Sequence, residues 1–473
     1  MFGLMKMTGG AGFVVVVPLV YYGLIARKTE ALFFWLLIAI CAVIVNPHVV
    51  AKGMVFAWTQ RILMVTLGFF MTLNVLAHPK HRVVTPYLGI MAYLSVMIFS
   101  SLQGWCPKIS ILKLILFTLI YFAYFGVANL VGVNPQVSSR KIRSVMLSVA
   151  LLFTVGSVIL LPFPGLSQLK AADFLAQGGS AEVLENMTSL FMGMTNHSQC
   201  LGPVVSSISV IVFADLLFSI RKWDPIYLLI LLSCPYLIYK TSSRTGMGAY
   251  LLGMAFVAYL FILARGVGTR WRRKALSAIM MLMTGFLCVL VFLPSFREGV
   301  KRFAVKWHGE GTAELTTERL VSSRQALMDR AIKNFKQSPL LGNGFQVDEK
   351  MKGMKVDGLA LSAPIEKGVW ITAVLEEGGV IGWLLFVGFL LSAIIISIKR
   401  RAYTGAACLF VCMLSNLGEF TFFSMSYSGG FTWAMVFAGL ALDIRKMKDE
   451  NEEMRRQMMA RPQMMMGNPR FVL

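Results

Sequence analysis

The feature that most limits how this chain can fold is its succession of apolar runs, each long enough to cross a bilayer and broken by one long polar interval, 296–368. A span needs about 20 apolar residues, and in lipid every backbone polar group must be satisfied within its own segment, so such runs fold as α-helices. Runs at 11–26, 31–50, 54–77, 83–102, 110–133, 143–163, 198–220, 225–240, 245–265, 274–296, 369–398, 402–420 and 428–445 meet that description; Arg61 interrupts the third. With 57% of 473 residues apolar and 14% charged, the chain carries more apolar surface than a soluble domain can bury. The expected fold is therefore all-α, a polytopic membrane helix bundle of about 12–13 spans with a long extracytoplasmic loop that contains helices.

The net charge of +22 is concentrated in loops and tail. In a membrane chain that pattern reads as orientation and contact with anionic lipid, and no basic soluble face suggests nucleic acid. Short basic loops stay in the cytoplasm. The loops holding Arg27 and Lys28, 80–82, 140–143, Arg221 and Lys222, 270–274, 399–401, and the tail from Arg445 fall on one side if every second loop is inside. The others then face out: the loop near Lys52, 103–108, roughly 164–195, 241–244, 297–368 and 421–428. The organisation that follows is 1–190 for the N-terminal spans, 191–296 for spans with outer-face motifs, 297–368 for the extracytoplasmic loop, 369–445 for the C-terminal spans and 446–473 for a cytoplasmic tail.

Of seven cysteines, most lie in apolar runs; Cys408 and Cys412, one turn apart, lack a His or carboxylate to complete a metal set and read as packing residues. No metal and no cofactor are expected. No cleavable signal peptide is expected either, since the first run lacks a small-residue cleavage site. In the tail, 442–459 suits a short amphipathic helix followed by a disordered end. No internal repeat marks an inverted-repeat transporter.

Within the polar interval, Thr316 or Thr317 can cap a helix running from Glu318 to about Lys336, which Pro339 stops. At the helical period Leu320, Val321, Leu327, Met328, Ala331, Ile332 and Phe335 form an apolar stripe, with Arg319, Arg330, Lys333 and Lys336 away from its centre. Arg324 breaks the pattern by sharing the stripe. A guanidinium aimed at an apolar contact needs an anionic partner. That partner is either a carboxylate, such as Glu376 or Glu419, or a phosphate or diphosphate clamped at the membrane surface. Then come Leu341, Gly342, Asn343 and Gly344, whose glycines could bring backbone N–H groups up to an anion.

Further candidates face the same side. Arg244, in Lys240-Thr241-Ser242-Ser243-Arg244-Thr245-Gly246, opens a span, and a helix N-terminus favours anions. His197, in Gly193-Met194-Thr195-Asn196-His197-Ser198-Gln199-Cys200-Leu201-Gly202, is either a helix-start residue or a ligand for a sugar or phosphate. Glu376 and Glu377 stand about two turns inside a span, where carboxylates are costly, and one of these acids or Glu419 is expected to pair with Arg324 or Arg61.

These pieces, in this order, resemble the O-antigen ligase and polymerase superfamily of membrane glycan transferases. Its pattern Gly-x-Thr-x-His-Pro-Asn-x-Leu-Gly is matched at 193–202, with Ser198 and Gln199 replacing Pro and Asn. A Ser-Arg-Gly-like element is matched by Ser243, Arg244, Thr245 and Gly246. Arg-x3-Trp, a helix and Pro-Leu-Leu-Gly-x-Gly follow; Arg324 is in register, Met328 replaces Trp, and 339–344 completes the block. A His-Asn pair ahead of Glu-x-Gly-x-x-Gly ends the pattern, but counting back from Gly379 and Gly382 puts it on Gly368 and Val369. The resemblance covers about 190–425. It implies metal-independent transfer of a glycan from an undecaprenyl-diphosphate-linked donor to an acceptor hydroxyl, on a glycan or a lipid, at the periplasmic face of the bacterial inner membrane. Polysaccharide-assembly proteins would be partners, and the C-terminus would be cytoplasmic. The implied roles are Arg244 and Arg324 on the diphosphate, His197, Gln199, Gly342 and Gly344 on substrate, and Glu366 and Lys367 as acid–base or phosphate-binding groups in place of the missing histidine. That absence tilts the reading towards polymerase over ligase. Two other classes compete: a lipid-linked oligosaccharide transporter or flippase, which would need a polar path through the membrane on both sides, and a non-catalytic relative.

Overall fold

A computed structural model describes residues 37, 40, 41, 44–49, 65–71, 73, 83–168, 191–218, 224–264, 317–352, 367–418, 421–424 and 428–466, with the side chains at 198, 317–323 and 460–466 left aside. Most of the first three sequence-assigned spans (with Arg61), the span 274–296, the stretch 297–316, Glu366 and Glu419 lie outside the described residues.

The helices are α1 (Ile90–Gln103), α2 (Pro107–Val133), α3 (Ser139–Ile159), α4 (Ser198–Phe218), α5 (Pro225–Lys240), α6 (Arg244–Leu263), α7 (Thr317–Phe335), α8 (Trp370–Lys399), α9 (Tyr403–Ser415) and α10 (Ser428–Met466). Six segments are long and apolar enough to cross a membrane: Thr85–Gln103, Pro107–Val133, Ser139–Ile159, Gln199–Phe218, Arg244–Leu263 and Trp370–Lys399. Among the described residues there is no strand, only isolated bridges from Val45 to Thr195 and from Gln168 to Phe191. This is the all-α membrane bundle the apolar runs call for.

Local chemistry sets the helix starts. Pro107 and Pro225 sit in the first turns of α2 and α5, where a missing N–H costs nothing. Asp224 accepts from the Ile226 amide at 2.9 Å, and Ser243 Oγ accepts from Gly246 at 3.2 Å. At the centre stands α4, buried along its length and packed by α3, α5, α6, α9 and α10. Beside it, rings from four elements interlock. Tyr121 meets Trp433 and Phe437, both at 5.2 Å between centroids, and Phe386 meets Phe423, also at 5.2 Å.

The polar contacts fall into two layers, one at each end of the spans. At one end Arg143 Nε donates to Asp215 at 2.7 Å and the Tyr227 hydroxyl to the same carboxylate, tying α3, α4 and the start of α5. At this end too, Arg445 and Lys448 of α10 donate to the carbonyls of Asn134 and Val133 at 3.0 and 3.1 Å, and Lys446 to that of Phe218. These cations cap the C-termini of α2 and α4, where the helix dipole favours positive charge. The short separate tail helix expected at 442–459 is instead the continuation of α10, one helix through Met466. Pairs of Arg445 with Asp449 and of Lys446 with Glu450, each one turn apart, support it beyond the apolar part.

At the other end lie the α1–α2 turn, Pro164–Ser167, the loop 191–197, the starts of α4, α6, α8 and α10, and α7. The sequence groups these loops on one face, and the candidate residues gather there.

Candidate functional site

The organising feature is a break in α8. Gly379 has φ 62° and ψ −167°, which no helix contains, and the chain doubles back there. Trp370 and Phe386 show the sharpness of the turn. Their ring centroids are 6.0 Å apart, where a straight helix would hold the two residues roughly 24 Å apart. Such a break exposes the last carbonyls of one half-helix and the first amides of the next. The Pro-Leu-Leu-Gly-Asn-Gly segment, 339–344, satisfies both sets. The amides of Asn343 and Gly344 donate to the carbonyls of Glu376 and Glu377 at 2.9 and 3.2 Å. The amides of Val380 and Ile381 donate to the carbonyls of Pro339 and Leu340 at 2.9 and 3.3 Å. Ser100 of α1 adds a bond to the Glu377 carbonyl at 2.5 Å.

This corrects the reading of Gly342 and Gly344 as substrate-binding. Gly342 donates its N–H to the Ser338 carbonyl at 2.9 Å, and Gly344 donates to Glu377 and to Ser100 Oγ, so neither amide is presented to an anion. Gly342 has φ 74°, and a methyl group there would collide with the Glu377 carbonyl. Gly342→Ala is expected to cost on the order of 1–3 kcal/mol for the backbone conformation alone, with the collision added. A thermal melt of the detergent-solubilised protein within a degree of wild type would refute the plug.

Beneath the plug lies a cluster of buried charge. Lys367 Nζ sits 3.2 Å from Glu377 Oε1 and 3.5 Å from Glu376 Oε2. Lys367 is 3% exposed, Glu376 3% and Glu377 0%, so none of the three is solvated. Asn334 of α7 donates to Glu376 Oε1 at 2.9 Å. Lys113, in the second turn of α2, donates to the Gln346 carbonyl at 3.1 Å and lies within electrostatic reach of Glu377 and Lys367. Two lysines thus balance two glutamates. Glu376 and Glu377 are paired with Lys367, while the expected alternatives through Glu419 or Arg61 lie outside the described residues. Burial alone would lower the Lys367 pKa, but the adjacent Glu376 and Glu377 carboxylates outweigh it and hold the pKa above the usual lysine value. An enclosed ammonium kept charged in this way acts electrostatically within the cluster.

Helix α7 lies against α8 with Ala331 and Asn334 buried, at 2% and 3% exposure. Of the expected stripe Ala331 is buried, Leu327, Met328 and Phe335 are half-buried and Ile332 is exposed, while Asn334 joins the buried face through its bond to Glu376. Arg330, expected to be solvated, is 3.3 Å from Asp348 and ties the helix to the segment beyond the plug. Gly368, where the superfamily pattern has histidine, has φ 76° and packs on α7; a Cβ there would meet Leu327 Cβ at 3.1 Å and the Arg324 carbonyl at 3.9 Å. The missing histidine therefore has a steric counterpart. A side chain there would strain the positive φ and require Leu327 to shift by a few tenths of an ångström.

The other motifs meet on the same face. The loop 191–197 is held from the N-terminal side by Asn46, whose amide side chain donates to the carbonyls of Gly193 and Leu166 at 2.6 and 2.7 Å. His197 Nδ1 accepts from the Gln199 amide at 3.1 Å, the role of a helix-start residue on α4. Three residues on, Gly202 packs against Gly246 and Ser243, and Ser206 Oγ donates to the Gly246 carbonyl at 2.7 Å. The 193–202 motif and the Ser-Arg-Thr-Gly motif are thus two halves of one junction between α4 and α6. Thr245 abuts Gly418 at the end of α9. Arg244, half-buried at the first turn of α6, lies within electrostatic reach of Arg324 on α7. Arg244 and Arg324 are therefore brought together; Lys367 is adjacent through Gly368; Gly342 and Gly344 are behind, in the plug. Sequence reasoning missed Lys113, Asn334 and Asn46. Lys113 was detectable, as a lysine inside an apolar span is as costly as the two glutamates that were noticed.

No curated protein matches the chain. Residues 226–364, from α5 through α7 and the plug, match the family model described as O-Antigen ligase. The match takes in Arg244, Arg324, Gly342 and Gly344, and it ends just short of Lys367. Over these residues the chain is similar to the O-antigen ligase family, which supports the resemblance to the O-antigen ligase/polymerase superfamily.

Proposed function

We propose that this membrane protein transfers a glycan from a polyprenyl-diphosphate donor, of the undecaprenyl kind, to an acceptor hydroxyl, with Arg244 and Arg324 holding the diphosphate. What supports the reading is that these two arginines, from separate elements, lie within electrostatic reach on the face where the motifs meet. A diphosphate seated between two guanidinium groups gains charge-assisted contacts from both. In the reaction the acceptor oxygen bonds to the anomeric carbon as the bond from that carbon to the diphosphate oxygen breaks. The leaving diphosphate keeps the electron pair, and the arginines stabilise the charge that grows on it. The acceptor proton passes to a base. With Lys367 held as a cation, that role falls in this reading to Glu366, its neighbour in the chain. The side bearing the site is taken as the periplasmic face of the inner membrane, with the C-terminus of α10 in the cytoplasm, as the basic loops suggest.

A binding measurement tests the clamp directly. A polyprenyl diphosphate with a fluorescent label should bind the detergent-solubilised protein, and Arg244→Gln should weaken binding about 10- to 100-fold, the worth of a charge-assisted contact. A monophosphate analogue should bind less tightly than the diphosphate. Equal affinity in wild type and variant would end the proposal for Arg244.

A further inference from the structure

We infer that the turn joining α7 to the plug is seated in the lipid leaflet on the site side, with Leu340 in the hydrocarbon and Lys333 and Lys336 against anionic headgroups. The inference rests on the fold alone and not on the proposed chemistry. The interval holding this turn looks from its sequence like a loop outside the membrane, yet its backbone is bonded to the top of a span. The carbonyls of Pro339 and Leu340 accept from Val380 and Ile381, the first amides after the break. From there to its end, 380–399, α8 is long enough to cross about 30 Å of hydrocarbon. The break therefore stands at the level where that span leaves the bilayer.

A second span gives the same level. Helix α1 ends at Gln103, and the next amide but one, Trp105, donates to the Asn343 carbonyl of the plug at 3.1 Å. The surface on both sides of the turn is apolar. Leu340 is 64% exposed, continuous with Leu384 at 58% on α8, and Leu102 at the end of α1 is 58% exposed. Such side chains at the end of a span face lipid. Lys336, just past the end of α7, and Lys333, in its last turn, are exposed beside the exposed Ile332, with Asp329 a further turn away from the plug. Apolar residues at the tip with lysines just above them form the interfacial arrangement, in which stems lie along the acyl boundary and ammonium groups reach the phosphates. Trp105, with Lys352 5.4 Å from its ring, sits at the same boundary, where tryptophan is favoured.

Spin-label accessibility in vesicles decides the matter. The full chain, with Cys288→Ser to leave the six buried thiols unlabelled, would carry Leu340→Cys or Gln337→Cys and be reconstituted in phosphatidylcholine with phosphatidylglycerol. At position 340, collisions with oxygen should exceed those with an aqueous nickel complex several-fold, and the order should reverse at 337. Higher nickel accessibility at 340 would overturn the inference. Shielding from both reagents would also overturn it, by showing that protein rather than lipid covers the turn. Adding Lys333→Gln and Lys336→Gln should make the 340 label shallower; an unchanged depth would refute the headgroup contact.

Discussion

Arg324→Ala should lower the rate of glycan transfer from a lipid-diphosphate donor in vitro by about 10²–10³, the usual effect of removing one pre-aimed donor from a developing anion. The size follows from where the charge is needed. Arg324 lies within electrostatic reach of Arg244, and the diphosphate gains a further negative charge as the glycosidic bond breaks, so the loss falls on turnover as well as on donor binding. Arg324→Lys should recover part of the rate, since an ammonium supplies the charge without the two-pronged geometry. The side chain is half-buried, so the alanine variant should elute and melt as a folded protein. A folded Arg324→Ala protein with full transfer activity would eliminate the clamp. A rate loss of the same size in Arg324→Ala and Arg324→Lys would show that charge alone is not what matters.

The largest effect on stability is expected from Lys367→Met. It leaves the Glu376 and Glu377 carboxylates buried with their nearest cation gone, and breaking one side of a buried ion cluster costs about 3–5 kcal/mol. Adding Glu376→Gln and Glu377→Gln to Lys367→Met removes the uncompensated charge and should return much of that stability. The comparison of single and triple variants in a detergent melt isolates the electrostatic part. If the single variant melts with wild type, the cluster is not what joins α7 to α8. The pH dependence has a definite sign. Because the Lys367 pKa is raised on folding, its contribution is complete below the ordinary lysine value of about 10.4 and disappears only as pH climbs beyond the raised value, so it is constant across the neutral range.

What could be read from the sequence is what depends on local periodicity. The starts of the spans from α1 to α10 and the helix α7 lie within a few residues of the expected positions, because an apolar run in lipid has little choice but to be helical. Arg324 stands out in the sequence by the same periodicity, as a charge at a helix position where its neighbours are apolar. The break in α8 was not. Glu376, Glu377, Gly378 and Gly379 sit inside one long apolar run, and nothing local says that the plug synthesised some forty residues earlier will bond to both sides of Gly379. The partner of the two glutamates was hidden likewise, since Lys113, Lys367 and two arginines were all available by charge and only the packing chooses. The place of Asn334 on the buried face of α7 was hidden too, since a hydrogen bond to a buried carboxylate leaves no mark in the apolar period.

The plugged break also bears on how the chain is made. A helix interrupted at the bilayer boundary would offer lipid bare carbonyls and amides if it entered alone. Here the segment that covers them precedes the break in the chain, so a ribosome completes 339–344 before it reaches Gly379. Order of synthesis thus supplies the cover ahead of the wound. A circular permutation or split that placed 339–344 after α8 would keep every contact of the finished fold and forfeit that sequence of events.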